Sequence, residues 1–303
     1  MHAMTIAIGT RNRGDLIVRT VRSVLATDAP GWTLRIVDQS DDERTAKALA
    51  PFLDDARIRY RRSHTVGIAI ARNLAVAEAD TELVAVTDDD CEVAPDWLRE
   101  LDAAFALDAR IALVFGNVVP GPHDARLGFV PACVLDEPVL ARELRDKNLV
   151  EGAGASMAVR RNAWRALGGF DETLGLGTRL RSGEETDLTI RALRSGFFVH
   201  QTPRARVTHH GFYPWSEHRA VIDNYWYGTG AAFARNVAAA PLGMAGVLAG
   251  LAGRWATAAS PVASSLAQRP HRLARLSAFA RGFAVGLVAA RRSPSFATEH
   301  ATA

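Results

Sequence analysis

At 303 residues the chain is long enough for one large or two modest domains around a substantial core. A formal charge of only +3 excludes a polycation built to coat nucleic acid, and 48% hydrophobic with 23% charged residues is the make-up of a soluble globular protein. Cys91 and Cys133, the only cysteines, lack metal-site spacing and imply a reducing compartment rather than a disulfide framework.

In chain order, "MHAMTIAIGTRNRGD" shows no long apolar run of the kind a signal peptide needs, so a cytoplasmic location is expected. "MTIAIGT" reads as a strand, followed by a helix through Leu16, Val18, Val21, Val24 and Leu25. "TLRIVDQS" and "RIRYRRS" are two more strands, "IAIARNLAVAEA" is a helix, and "ELVAVTDDD" is a buried strand ending in three acids. This alternation predicts an α/β fold with a mixed, mostly parallel sheet flanked by helices. Ligands of such sheets bind outside the carboxyl ends of the strands. Three polar clusters fall there: Thr10 to Asn12, Asp38 to Asp41, and Asp88 to Asp90.

Further on, a strand near Ser156 to Val159, a short helix to Leu167, a Gly-rich loop and a helix from about Glu184 are expected, then a strand pair around "FFVHQTPRARVTHHG". From about residue 217 the pattern is helical, and a boundary is placed near 220. Residues 1–220 would form the catalytic domain (nucleotide side 1–115, acceptor side 116–220) and 221–303 a helical, Arg-rich extension.

The acid cluster poses the chemical question. On an extended strand Asp88 and Asp90 share one face and Asp89 takes the other. Converging carboxylates repel unless a cation sits beside them, and hard oxygen ligands suit Mg²⁺ or Mn²⁺ alongside substrate phosphates. Alternatively, these acids are solvated and precede a helix near Pro95, whose dipole favours them.

The ordered set "TRNR" (10–13), "VDQSD" (37–41), "GIAIARN" (67–73), "VTDDDCEVAPDWL" (86–98), "GAGASMAVRR" (152–161), "GGFDE" (168–172), "GEETDLTIRALRSG" (183–196) and "ARVTHHG" (205–211) resembles the family 2 glycosyltransferases of GT-A fold. The resemblance implies an inverting transferase with a Rossmann-like GT-A core, using a nucleotide-diphosphate sugar donor, a hydroxyl-bearing acceptor and Mn²⁺ or Mg²⁺. It places Thr10, Arg11, Asn12 and Asp38 at the base, with Arg72, Asn73, Asp88 and Asp89 also on the nucleotide. Asp88 and Asp90 match the DxD, with Asp90 on the metal and Asp88 at the ribose, the base or a metal-bound water. His209 or His210 would supply a third ligand, with His209 favoured. Glu185 matches the general base, where the family usually has Asp; Glu184 or Asp187 would otherwise carry that role. Asp171, Arg179 and Arg181 lie in the Gly-rich segment that reads as a lid. Local chemistry offers other uses: Asp38 fits an Asx turn, residues 182–185 fit a capping box, and Asp187 is spaced to pair with Arg191.

Between Asp223 and Glu299 there is no acid but there are eight arginines. A helical apolar stripe runs through Leu273, Leu276, Phe279, Phe283 and Leu287, suited to an anionic membrane interface, to the catalytic domain or to a second subunit. Residues 236–253 are an uncharged but Gly- and Pro-containing candidate span. The acceptor would be a glycan, a lipid-linked sugar or a small molecule, and no nucleic acid is expected as partner. Rival functions are a nucleotide-sugar-binding protein without catalysis, and a metal-dependent nucleotidyl or phosphoryl transferase.

Overall fold

The computed structural model describes residues 1–257 and 272–292. In chain order the elements are β1 (Met4–Thr10), α1 (Ile17–Leu25), β2 (Trp32–Asp38), α2 (Arg44–Leu49), β3 (Ile58–Arg62), α3 (Ile68–Ala77), β4 (Leu83–Asp88), β5 (Cys91–Val93) and α4 (Trp97–Phe105). They continue as β6 (Ile111–Pro120), β7 (Gly128–Phe129), β8 (Val139–Ala141), β9 (Met157–Arg160), α5 (Arg161–Ala166), α6 (Glu184–Arg194), β10 (Phe198–His209) and β11 (Tyr213–Pro214). Three helices close the chain: α7 (His218–Ala239), α8 (Pro241–Thr257) and α9 (Arg272–Arg292).

One mixed sheet runs β3-β2-β1-β4-β9-β6-β10-β5, with β8 also beside β10, while β7 and β11 pair separately. Strands β3, β2, β1 and β4 are mutually parallel, and β1 is buried along its whole length because helices cover both faces. Antiparallel β9 then joins β4 to β6. Register sets the site: Thr10 lies opposite Asp38 and Gly9 opposite Asp88, so the polar ends of β1, β2 and β4 are level. The apolar side chains of β1, β2 and β4 divide between two cores, one under α1 and α4 and the other under α3 and α6.

Two local expectations change. Residues Phe198–His209 form one strand, β10, instead of a pair. Its Thr202-Pro203 break is absorbed as a bulge, because Gln201 pairs with Phe115 and Arg206 with Asn117, leaving 202–205 opposite Gly116 alone. Only glycine fits there: a Cβ would stand 2.1 Å from the Ala205 carbonyl oxygen and 2.2 Å from Ser156 Oγ. The acid-ended strand also stops early. β4 ends at Asp88, and Asp89 and Asp90 turn into β5, so strand alternation does not extend through the cluster.

The C-terminal helices pack through small residues. A Cβ at Gly282 of α9 would lie 1.8 Å from the Tyr227 carbonyl oxygen of α7, so the two backbones touch. The apolar stretch 236–253 is split, since α7 ends at Ala239 and α8 begins at Pro241. Among the described residues only α9 is long and apolar enough, by length and composition, to cross a membrane.

Gly116→Ala forces backbone apart and is expected to lower stability by about 1–3 kcal/mol, the usual cost of overpacking. Gly246→Ala in α8 meets nothing within 4 Å and should be neutral or stabilising by up to about 1 kcal/mol. Urea midpoints of the two variants against the parent check both.

Candidate active site

The site is organised by one buried cation. Arg72 points inward from α3, although a helix arginine ordinarily faces water, and is 3% exposed. Its Nη2 donates to Asp88 Oδ1 at 3.0 Å; its Nη1 donates to Glu184 Oε1 at 3.0 Å and to Glu185 Oε1 at 2.9 Å. Burial opposes the guanidinium charge, but the three carboxylates outweigh it and raise the Arg72 pKa.

The three acids of α6 are thereby separated in role. Glu184 is buried; burial, reinforced by the charge of Glu185, pushes its carboxyl far above the usual carboxylate range. Asp187 is also buried, paired with Arg191 at 2.6 Å and accepting from Asn236 Nδ2 at 2.8 Å, which ties α6 to α7. Glu185 alone reaches open space. Its Oε1 accepts from Arg72 and from the Gly154 backbone N–H at 3.0 Å, and its Oε2 has no partner among the described residues. It lines a cavity with Gly152, Thr186, Tyr225 and Trp226. The capping box is absent: Gly183, with φ of 96°, is the N-cap, and no side chain caps the helix.

A second centre lies at the β4–β5 turn. Asp90 Oδ1 is 3.2 Å from His209 Nε2, and Asp90 Oδ2 accepts from Arg13 Nη2 at 3.1 Å. His209 Nδ1 donates to the Pro131 carbonyl at 2.8 Å, which leaves its Nε2 aimed at the carboxylate. A ring lone pair facing a carboxylate oxygen needs a cation between them, either a proton or a metal. Burial pulls the His209 pKa down, but the hydrogen bond and charge of Asp90 outweigh it, so the proton is held more firmly than usual. Burial likewise pushes the Asp90 carboxyl up, and His209 and Arg13 bring it below its ordinary value. Two ligands at right angles, each about 2.1 Å from an ion, stand about 3 Å apart, so this oxygen–nitrogen pair fits Mn²⁺ or Mg²⁺. The Cys91 thiol lies with them, all three ligand atoms being within 4.8 Å of one another. Asp88 is outside this group, turned to Arg72. His210 bonds Glu92 at 3.0 Å.

Among the other candidates, Thr10 is buried at the end of β1. Arg11 and Asn12 clamp Asp41 across the β1 and β2 ends, each at 3.0 Å, with Asn12 at a φ of 58°. Asp38 is fully buried, its oxygens accepting from Tyr60 Oη at 2.7 Å and the Ser40 N–H at 2.8 Å. Asp89 is buried beside Arg13 at 3.2 Å, and burial pushes its carboxyl up to about 7 against the pull of that arginine. Asn73 faces the Gly-rich loop and bonds both backbone groups of Phe170. In that loop Asp171 pairs with Arg235 at 2.5 Å, Arg181 stacks on Tyr227 at 4.5 Å, and Arg179 is exposed.

The model of glycosyl transferase family 2 matches residues 5–158, half of the sequence. The chain belongs to this family. Among curated relatives, the pre-mycofactocin glycosyltransferase of Mycobacterium tuberculosis is 29% identical over 221 residues, 68% of this chain and 42% of that protein. The glucosyl-dolichyl phosphate glucuronosyltransferase of Haloferax volcanii is 24% identical over 241 residues, covering 75% and 74%. The family 2 chain thus spans less than half the length of the mycobacterial relative. Among solved structures it is similar to a mannosyltransferase of Pyrobaculum calidifontis in complex with GDP-Man and Mn²⁺ (TM-score 0.60, 19% identity, 96% of this chain and 86% of that one). It is also similar to S. aureus TarS 1–349 in complex with UDP-GlcNAc (TM-score 0.53, 15% identity, covering 76% and 66%). These structures establish a GT-A fold for the family 2 chain.

Sequence reasoning missed Arg13, Cys91 and Gly154 as members of this site. Arg13 and Gly154 stand within the family motifs, but nothing in a single sequence says what they face. Gly154 is sterically fixed, since a Cβ would meet Arg72 Nη2 at 2.2 Å and Glu185 Oε1 at 2.4 Å.

Arg72→Met should cost about 3–5 kcal/mol at neutral pH, the usual loss when a buried cation leaves its carboxylates unpaired. Burial already raises the Glu184 carboxyl, and losing Arg72 removes the cation that opposes the rise. Stability is therefore retained at pH below about 4 and lost as pH rises through the folded value of Glu184. Urea midpoints at pH 5 and pH 8 should show the deficit widening with pH.

Proposed function

We propose that the family 2 chain is an inverting, metal-dependent glycosyltransferase, moving a sugar from a nucleotide-diphosphate sugar to an acceptor hydroxyl. The observation that carries this reading is the paired geometry at the strand ends. Asp90 faces His209 at a separation a cation would bridge, and Glu185 stands beyond Arg72 with one oxygen fixed and the other free. Asp90 and His209 would hold Mn²⁺ or Mg²⁺, which supplies neutralisation of the diphosphate leaving group. Glu185 Oε2 accepts the proton of the acceptor hydroxyl as its oxygen attacks the anomeric carbon. Arg72 and the Gly154 N–H hold Glu185 by its Oε1, so Oε2 needs no reorganisation to meet the hydroxyl. Asp187 is committed to Arg191 and Asn236, and Glu184 is buried, so neither is placed to meet an acceptor. Thr10, Asn12 and the β2 end would take the base and ribose, with Asp38 stiffening that wall through Tyr60 and Ser40.

Glu185→Gln keeps size and a hydrogen-bonding tip but cannot take a proton. Its turnover should fall by about a hundredfold or more, with nucleoside diphosphate affinity and melting temperature little changed. Asp90→Ala and EDTA should each abolish release of nucleoside diphosphate across a donor panel, EDTA reversibly. Full turnover of Glu185→Gln would remove Glu185 as base; full turnover of Asp90→Ala under EDTA would remove the metal-dependent reading. Turnover of no donor at all would favour a binding protein.

We further propose that the C-terminal helices touch an anionic lipid surface, which would place the protein peripherally on the inner face of the membrane and suit a lipid-linked acceptor in glycan or glycolipid synthesis. One face of α9 packs on α7, while the opposite face carries Leu273 at 83% exposure with Leu276 and Val288 about half exposed, in a stretch without acids. The protein should sediment with phosphatidylglycerol vesicles at low salt, release in high salt, and lose binding in Leu273→Glu. Absence of binding at low salt would assign the face to a second copy of the chain or to solvent.

A further inference from the structure

Arg13 occupies a position that the cation site at Asp90 does not by itself explain. It leaves the β1–α1 loop and reaches across to the β4–β5 turn. Its Nε lies 3.2 Å from Asp89 Oδ1 and its Nη2 lies 3.1 Å from Asp90 Oδ2. A guanidinium carries five donors in a fixed plane. Here Nε and Nη2 face carboxylates, and Nη1 has no partner among the described residues. The side chain is 40% exposed, on the wall of an open cleft shared with Asp90, His210 and Tyr213. The two oxygens of Asp90 are thus divided, Oδ1 toward His209 and Oδ2 toward Arg13.

That division has a chemical consequence. A diphosphate bound beside Asp90 brings two or three negative charges to within a hydrogen bond or two of Arg13. The guanidinium is already desolvated on one edge by Asp89 and Asp90, so it loses little further hydration on gripping an anion with the other edge. Its planar fork matches two phosphate oxygens at once. The neighbouring arginines are engaged elsewhere, Arg11 with Asp41 and Arg72 with Asp88, Glu184 and Glu185. Arg19, also in the cleft, faces Glu92 at 3.6 Å.

We propose that Arg13 is a donor-binding residue that grips the diphosphate of the nucleotide sugar, a second positive contact beside the cation site. This rests on the reading of Asp90 and His209 as the diphosphate end of the donor site. It also predicts that part of the nucleotide affinity survives without metal, because the guanidinium stays when the cation is removed.

The test uses the full chain, with UDP and GDP as probes in calorimetry, each with Mn²⁺ and with EDTA, and Mn²⁺ affinity measured separately by paramagnetic resonance without nucleotide. Arg13→Gln should weaken the preferred nucleoside diphosphate by about tenfold to a hundredfold, the usual worth of a charge-assisted hydrogen bond. The loss should appear in EDTA as well as in Mn²⁺, and Arg13→Lys should recover part of it. Nucleoside affinity should be unchanged, since uridine and guanosine carry no phosphate. Mn²⁺ affinity should hold or rise, because a competing cation has left Asp90. If Arg13→Gln binds nucleoside diphosphate as the parent does, or weakens only in proportion to a fall in Mn²⁺ affinity, Arg13 merely neutralises Asp89 and Asp90 and the proposal fails. If the parent itself binds neither nucleotide, the reading of the donor site fails and this proposal with it. A melting temperature within a few degrees of the parent shows that the variants are folded, and Arg13→Lys carries the test should Arg13→Gln not fold.

Discussion

The structure depends on the encounter of Arg72 with Asp88, Glu184 and Glu185. One buried guanidinium joins helix α3, the end of β4 and the start of α6, three elements whose sequence positions are more than a hundred residues apart at the extremes. Taking one cation and three acids out of water is costly unless every charge finds a partner. The solution adopted is unequal. Arg72 satisfies one oxygen of each acid, Glu184 is pushed toward its neutral form, and Glu185 keeps an outward oxygen. A carboxylate that is held on one side and open on the other is the product of that arrangement.

The remaining contacts of α6 serve the same end. Asp187 ties it to α7 through Asn236 and, with Arg191, to the glycine turn: Arg191 donates to the carbonyls of Leu167 and Gly169. The Gly-rich segment in front of the helix is held from two directions. Asn73 grips Phe170 from α3, while Arg235 grips Asp171 and Asp223 accepts from Arg181 from α7. Gly228 lets α7 approach closely, because a Cβ there would stand 2.2 Å from the Ser182 carbonyl oxygen. The C-terminal helices therefore reach the site through α7, and the position of Glu185 is set jointly by the sheet and by those helices.

Much of this is legible in order along the chain. The apolar runs of β1, β2 and β4, the helical spacing of α1 and α3, and the polar residues at three strand ends are sufficient to place a polar cluster at one edge of a parallel sheet. The acids of residues 88–90 and of "GEETDL" mark two clusters of carboxylates. What does not follow is which member of each cluster faces what. Strand alternation puts Asp88 and Asp90 on one side, but the strand stops at Asp88 and a turn sends Asp90 to His209 while Asp88 meets Arg72. The bulge of β10 is hidden for a related reason: Thr202-Pro203 reads locally as a turn, and only its partner strand with Gly116 keeps it in the sheet.

By itself the sequence determined β1 to β4, β9, the helices α1, α3, α5 and α6, the edge of the sheet where polar residues gather, and the stock of acids, arginines and glycines available there. These are properties of periodicity and of chain order, and both survive in one dimension. Tertiary structure alone decided that Arg72 is buried, that Glu185 and not Glu184 or Asp187 faces open space, that His209 and not His210 meets Asp90, and that Arg13 leans over the acid turn. Each of those outcomes is a pairing of charges brought together from distant segments. A charge carries no mark of its partner until the backbone places the two within about 3 Å, where the energy of burial either finds compensation or forbids the fold.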